Sequence, residues 1–227
     1  MNQLNLNIKS KFEMTKKFIF SILTFLATYL YAQNEVKISN QIWMTANLNV
    51  SVFRNGDSIF HAKSNKEWEN AGNEGKPAWC YYENNAGNES KYGKLYNWYA
   101  VTDPRGLAPK GWHIPCETDW KTFEYNIGGN GGDKLKSTSD WKENTKSSDN
   151  NTASSYGNNF MGFNGYPSGI RYYDGFFIYK TQNGYWWSKT EMDTNLAWFY
   201  YLDYRSSELL KNFSKKSNGL SVRCIKD

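Results

Sequence analysis

Two residues suited to nucleophilic or acid–base chemistry stand close together in this chain: His113 and Cys116, either side of Ile114-Pro115. Cys116 opens a helical pattern, and the positive end of a helix lowers a thiol pKa. A hydrolase or thiol-dependent enzyme built on this pair is therefore one reading. Against it, no serine nucleophile elbow is present and no partner is placed in sequence to activate the thiol. A histidine in a turn and a cysteine at a capping position explain both residues structurally. Asp119 and Glu124 are accounted for as helix surface charges, since glycosidase chemistry needs two carboxylates facing one cleft. With two histidines a His-rich metal site is excluded, and no CxxC or Cys/His spacing suggests zinc. No cofactor is expected. Calcium is the one candidate ion, through Glu191, Asp193 and Asp203 with Asn195 nearby. The chain lacks a Glu-Pro-Asn or Trp-Asn-Asp triplet of the calcium-dependent lectin kind.

The stronger chemical signal is aromatic. Phe, Trp and Tyr form 18% of the chain, yet its mean hydropathy is −0.77. The rings gather in short clusters, among them Trp79-Cys80-Tyr81-Tyr82, Tyr96-Asn97-Trp98-Tyr99, Tyr185-Trp186-Trp187 and Trp198-Phe199-Tyr200-Tyr201. Aliphatic residues are too few for an ordinary core, so rings carry it and the surplus is displayed. Tyr, Ser and Arg together supply rigid contact area plus adaptable hydrogen bonding. On that ground Tyr172, Tyr173, Asp174, Trp187, Tyr201, Tyr204 and Arg205 are the candidate binding residues, and Trp186, Trp198 and Tyr200 are assigned to the core. The expected partner is a glycan or a surface protein.

These residues need elements to hold them. Val36-Lys37-Ile38 and Gln41-Ile42-Trp43-Met44 read as strands about a Ser39-Asn40 turn. Residues 54–75 read as irregular surface, 78–82 as a strand and 84–90 as a loop. Leu95, Trp98 and Tyr99 fit one face of a short helix over 94–101. The clearest helix follows Pro115, with Glu117 and Asp119 in its first turn, Trp120, Phe123 and Ile127 as its buried stripe, and Gly128-Gly129 as its stop. Residues 137–159 have loop composition around Trp141. The last quarter reads as strands over 184–188, 197–203, 208–213 and 220–225, with Asn218-Gly219 as a hairpin turn. Lys215-Lys216 reads as a solvated hairpin and not as a phosphate clamp.

The N-terminus reads as a secretory signal peptide over residues 1–32, with Met14 as the expected start. Lys16-Lys17 precede an apolar run over 18–31 that falls short of the ~20 residues of a bilayer span. Leu30-Tyr31-Ala32 places a small residue at the cleavage point. Cleavage removes Lys9, Lys11, Lys16, Lys17 and Glu13, so much of the net charge of +5 leaves with the leader. No basic stripe remains, and nucleic acid is not an expected partner. The mature chain, 33–227, is long enough for one domain with no stable membrane span. In an oxidising compartment, Cys80, Cys116 and Cys224 imply one bridge and one free thiol, and three pairings are open.

Longer motifs carry a family resemblance. Ile42-Trp43-Met44-Thr45-Ala46-Asn47-Leu48-Asn49 comes first. Tyr92-Gly93-Lys94-Leu95-Tyr96-Asn97-Trp98-Tyr99-Ala100-Val101 and Leu107-Ala108-Pro109-Lys110-Gly111-Trp112-His113-Ile114-Pro115 follow. Gly165-Tyr166-Pro167-Ser168-Gly169-Ile170-Arg171, Gly184-Tyr185-Trp186-Trp187-Ser188 and Ser221-Val222-Arg223-Cys224 complete the order. Across residues 36–227 the chain resembles the Fibrobacter succinogenes major paralogous domain family. The resemblance implies an α+β, C-type-lectin-like fold related to the formylglycine-generating-enzyme-like branch, with short antiparallel strands, two short helices and extensive loops. It implies export to the periplasm, cell surface or medium, and no reaction, because the family's biochemical function is unknown. The cysteine motifs of the related oxidase branch are absent. Where the family often has Cys, this chain has Ala108. The resemblance leaves Cys224 paired with either Cys80 or Cys116. The reading as a whole is a secreted, non-catalytic binding module with an aromatic C-terminal face.

Overall fold

The computed structural model describes residues 35–143 and 157–227. The expected leader over 1–32, and the stretch 144–156 within the expected loop, lie outside the described residues. The chain opens as expected with β1 (Glu35–Ile38) and β2 (Gln41–Met44), joined by a turn in which Ser39 takes φ 56°.

Residues 54–75 are a correction. They contain β3 (Phe60–His61) and a nine-residue helix, α1 (Asn65–Asn73). The signal was present as Ser64-Asn65-Lys66-Glu67, a capping box. Ser64 Oγ accepts from Glu67 N at 3.2 Å, while Glu67 Oε2 accepts from Ser64 N at 3.0 Å. The polar composition is that of a helix burying one narrow face, chiefly Trp68 and Ala71.

β4 (Ala78–Cys80) ends in tight turns, and α2 (Glu89–Tyr92) is one helical turn. The helix expected over 94–101 begins later. Leu95–Tyr96 is strand β5, and α3 (Trp98–Val101) starts where Asn97 Oδ1 accepts from Ala100 N at 3.1 Å. β6 (Trp112–His113) leads into α4 (Glu117–Ile127), which starts and stops as expected. α5 (Gly132–Leu135) is one turn. Then come β7 (Ser168–Arg171), β8 (Phe177–Lys180), β9 (Asn183–Glu191), β10 (Leu196–Asp203), β11 (Leu210–Lys215) and β12 (Ile225–Lys226).

These strands make small, mostly antiparallel sheets with orders β1-β2-β12-β6, β11-β10-β9, β3-β4-β5 and β7-β8. The architecture is α+β. Residues Val36–Asp227 form one unit, and among the described residues no helix is long and apolar enough to cross a membrane. Asn218-Gly219 does not close a hairpin. After it the chain threads between sheets, with Leu220 bridging Tyr96, Ser221 bridging Trp186 in parallel, and Ile225 pairing with both Trp43 and His113. Lys216 is likewise a correction. Its ammonium is buried, bonded to Glu191 and the Thr194 carbonyl, both at 2.9 Å, and lies 4.6 Å from the Trp98 ring centroid.

Rings build the core. Trp43, Trp68, Trp120, Trp186 and Trp187 are all fully buried. Each removes roughly 150–250 Å² from water, about 4–6 kcal/mol of gross stabilisation. The centre of the β9–β10 ladder is covered on both faces, while β11 is largely exposed. Trp187 and Phe199 enter one cluster, while Trp186, Tyr200 and Leu202 enter another with Trp120 and Phe123 of α4. Trp120 stacks on Tyr200 at 4.8 Å and 13°.

Two buried arginines tie the irregular segments together. Arg223 donates to Asn47 Oδ1 at 2.7 Å, to Met44 O at 3.0 Å and to Phe163 O. Arg171 donates to Ala62 O at 3.0 Å, Ser64 O at 2.9 Å and Gly175 O at 3.1 Å. Backbone carbonyl dipoles thus take the role that a carboxylate takes in most buried pairs.

Candidate aromatic binding face

Strand alternation sends residues 185 and 187 of β9 to the same side as 199 and 201 of β10, and the register pairs Tyr201 with Tyr185 and Phe199 with Trp187. The inner pair is sealed. Trp187 is fully buried and its Nε1 donates to Tyr96 O at 2.8 Å, so its assignment to the binding face is corrected. Of the outer pair only Tyr201 emerges, while Tyr185 stays buried beneath it. Tyr185 and the half-buried Tyr201 stack with centroids 5.6 Å apart at 23°.

The β7–β8 hairpin extends this row. Tyr179, 41% exposed, lies 6.4 Å from Tyr185. Half-buried Tyr172 shares a hydrogen bond with Tyr179, and burial followed by Tyr179 pushes the Tyr172 phenol above its ordinary pKa. Tyr172, Tyr179, Tyr185 and Tyr201 form one run of phenols carried by four strands or strand ends. Tyr179 was missed in sequence. Its φ of 65° in the left-handed region was the missing information, and no residue type signals it there.

Asp203 and Arg205 close the Tyr201 end. Asp203 Oδ2 accepts from Arg205 Nη2 at 2.9 Å and from Asn183 Nδ2 at 3.1 Å, and Oδ1 accepts from Arg205 N at 2.8 Å. Burial alone pushes the Asp203 carboxyl up, but these bonds outweigh it and hold the group below the usual range. Arg205 also lies 5.3 Å from the Tyr204 ring centroid. Tyr173 and Asp174 occupy the hairpin tip. Tyr173 lies 3.6 Å from Lys215 Nζ, and Asp174 Oδ1 accepts from Phe176 N at 3.3 Å. Trp198, assigned to the core, is half-buried between Lys211 at 3.7 Å and the Phe213 ring at 5.8 Å.

The calcium candidates do not converge. Glu191 pairs with Lys216, and Asp193 Oδ1 accepts from Asn195 N at 2.7 Å and Leu196 N at 2.8 Å. Asp203 lies at the opposite end of the β9–β10 ladder, roughly 20 Å away at ~3.3 Å per residue. All three oxygen sets are committed locally.

The two chemical residues of the enzyme reading are also engaged. His113 Nδ1 lies 2.8 Å from Asp227 Oδ1, and Nε2 lies 3.5 Å from Asp119 Oδ2. Asp119 Oδ2 in turn accepts from Cys116 N at 2.8 Å. Both imidazole nitrogens face carboxylates, so neither is directed at the Cys116 thiol. The expected disulfide is not formed. Cys80 is buried in the cluster around Trp68, Cys224 is buried in the cluster around Tyr96 and Trp187, and Cys116 is half-buried at the α4 N-terminus.

No curated protein and no solved structure matches the chain. A family model does, over residues 36–226, from within β1 to the end of β12. The chain belongs to the Fibrobacter succinogenes major domain family.

Proposed function

We propose that the protein is a non-catalytic recognition module that binds a glycan at its C-terminal aromatic face, outside the cytoplasm. The observation that carries this reading is the group of partly exposed Tyr172, Tyr179 and Tyr201 packed about the buried Tyr185, with the Asp203–Arg205 pair at its end. Phenol faces stack on the apolar faces of sugar rings, while their hydroxyls and a fixed guanidinium supply directional hydrogen bonds. Export is supported by the apolar run over residues 18–31 and its small-residue end. A C-type-lectin-like fold is in keeping with small antiparallel sheets flanked by short helices.

The test is a glycan array probed with the wild type and with a Tyr179→Ser, Tyr201→Ala double variant. Both positions are partly exposed, so the variant is expected to fold. Loss of signal by about tenfold or more, with an unchanged circular dichroism spectrum, is the expected result, since stacking contributes about 0.5–1.5 kcal/mol per ring beyond its buried area. Undiminished binding by the folded variant removes this face from the account.

A further inference from the structure

A second surface feature stands apart from the tyrosine row. The 102–108 loop and β9 enclose a cleft of about 240 Å³ lined by Arg54, Lys189, His113 and Thr102 over an apolar floor of Val101 and Leu107. We infer that this cleft is an oxyanion site, accepting a sulfate, phosphate or carboxylate group borne by a small molecule or a sugar.

Charge balance is the first ground. Arg54 donates through Nε and Nη2 to the Ala108 carbonyl at 3.0 and 2.9 Å, and through Nη2 to Trp112 O at 3.4 Å. No carboxylate pairs with it among the described residues, and its Nη1 has no partner there. Lys189 is exposed, and its ammonium likewise makes no ion pair among the described residues. The carboxylate in the cleft, Asp103, is already neutralised. Its oxygens accept from Arg105 Nε at 2.8 Å and Nη2 at 2.9 Å, which hold it below the usual carboxylate range. His113 turns its ring nitrogens to Asp227 and Asp119, whose carboxylates line the neighbouring cleft and not this one. Within the lining, Arg54 and Lys189 are the cations without a carboxylate partner among the described residues, in a concave, partly apolar space where an anion is attracted more strongly than at a flat surface.

Preorganisation is the second ground. Gly106 takes φ 82°, and a Cβ there would stand 3.4 Å from Arg54 Nε. The loop backbone therefore lies directly against the guanidinium, and Gly106 O accepts from Arg54 N at 2.8 Å. A guanidinium locked by carbonyls loses little side-chain freedom when an anion arrives.

The experiment is a titration of the full chain with sodium sulfate, inorganic phosphate and sodium glucuronate at constant ionic strength, followed by amide chemical shifts. Saturable shifts confined to the 102–108 loop, Arg54 and Lys189 are expected with at least one of the three. The tightest of them tells a tetrahedral oxyanion from a carboxylate. Lys189→Gln, whose ammonium makes no hydrogen bond or ion pair among the described residues, should weaken binding about tenfold, and Arg54→Gln by a similar factor. Lys66→Gln, a remote surface change, should leave it unaltered. Linear, non-saturating shifts spread over the surface lysines, or equal affinity in Lys189→Gln and wild type, overturn the proposal. The aromatic face takes no part in any of these outcomes.

Discussion

At the scale of single residues, burial governs reactivity. Cys80 and Cys224 are fully buried, and burial pushes their thiols up to about 11 and about 12. Thiolate is the reactive form, so both are inert in the folded protein near neutrality. Alkylation at pH 8 should label Cys116 alone in the native state and all three cysteines in denaturant without reductant. Intact-mass spectrometry reads both counts. A single label in denaturant would restore the disulfide that the cysteine pattern suggested. The aromatic assignments divide on the same principle. Tyr201 and Trp187 are two of the residues singled out on one face of the sheet, yet one is half-exposed and the other sealed, because only the end of the β9–β10 ladder reaches the surface.

At the scale of elements, the β7–β8 hairpin carries backbone strain beside the tyrosine row. Tyr179 and Thr181 both hold positive φ, where a bulky or branched side chain is strained by about 1–2 kcal/mol. Gly169, in β7, holds the same left-handed φ of 67°, and there glycine is required, since a Cβ would stand 2.6 Å from Ile178 O and from the Tyr82 ring. On the proposed function, strain retained at an exposed tyrosine is the mark of a ring kept for contact. Tyr179→Gly should leave thermal stability unchanged or raise it by up to about 1 kcal/mol, while weakening ligand binding. A clear loss of stability in this variant would mean that the ring is structural. Helix α1 shows how a polar segment hides a structured one. Its Ser64–Glu67 box was legible, but its apolar stripe is so narrow that composition suggested loop. The Asn218-Gly219 turn failed for a different reason. The dipeptide favours a hairpin locally, but residues 220–225 find more partners by passing between β5, β9, β2 and β6.

At the scale of the whole molecule, stability rests on phenols and indoles kept out of water. Burial pushes Tyr96, Tyr185 and Tyr200 well above the ordinary phenol value and Tyr82 to about 12. In the unfolded chain these groups ionise near ~10. The folded state favours the neutral phenol. Its contribution is complete below about pH 10 and is lost as pH rises toward the folded values. Alkaline titration should therefore show tyrosinate absorbance rising together with the loss of near-ultraviolet dichroism, in one cooperative step above pH ~10. Gradual ionisation of every tyrosine with the dichroism intact would contradict a ring-built core.

What the chain determined by itself follows from local physics. Pro115, the acidic first turn and Gly128 set the bounds of α4. Alternation and turn residues placed β1, β2, β9 and β10, and the scarcity of aliphatic side chains assigned the core to rings. The motifs Gly169-Ile170-Arg171 and Ser221-Val222-Arg223-Cys224 were visible too, but not their purpose, because a buried arginine needs carbonyl acceptors brought from segments 60 to 179 residues away. Tertiary structure alone decided which tyrosines reach solvent, that the three cysteines stay apart, and that Arg54 and Lys189 share a cleft. Each depends on distances between remote parts of a mostly irregular backbone, and such distances leave no period or spacing in the sequence for a reader to find.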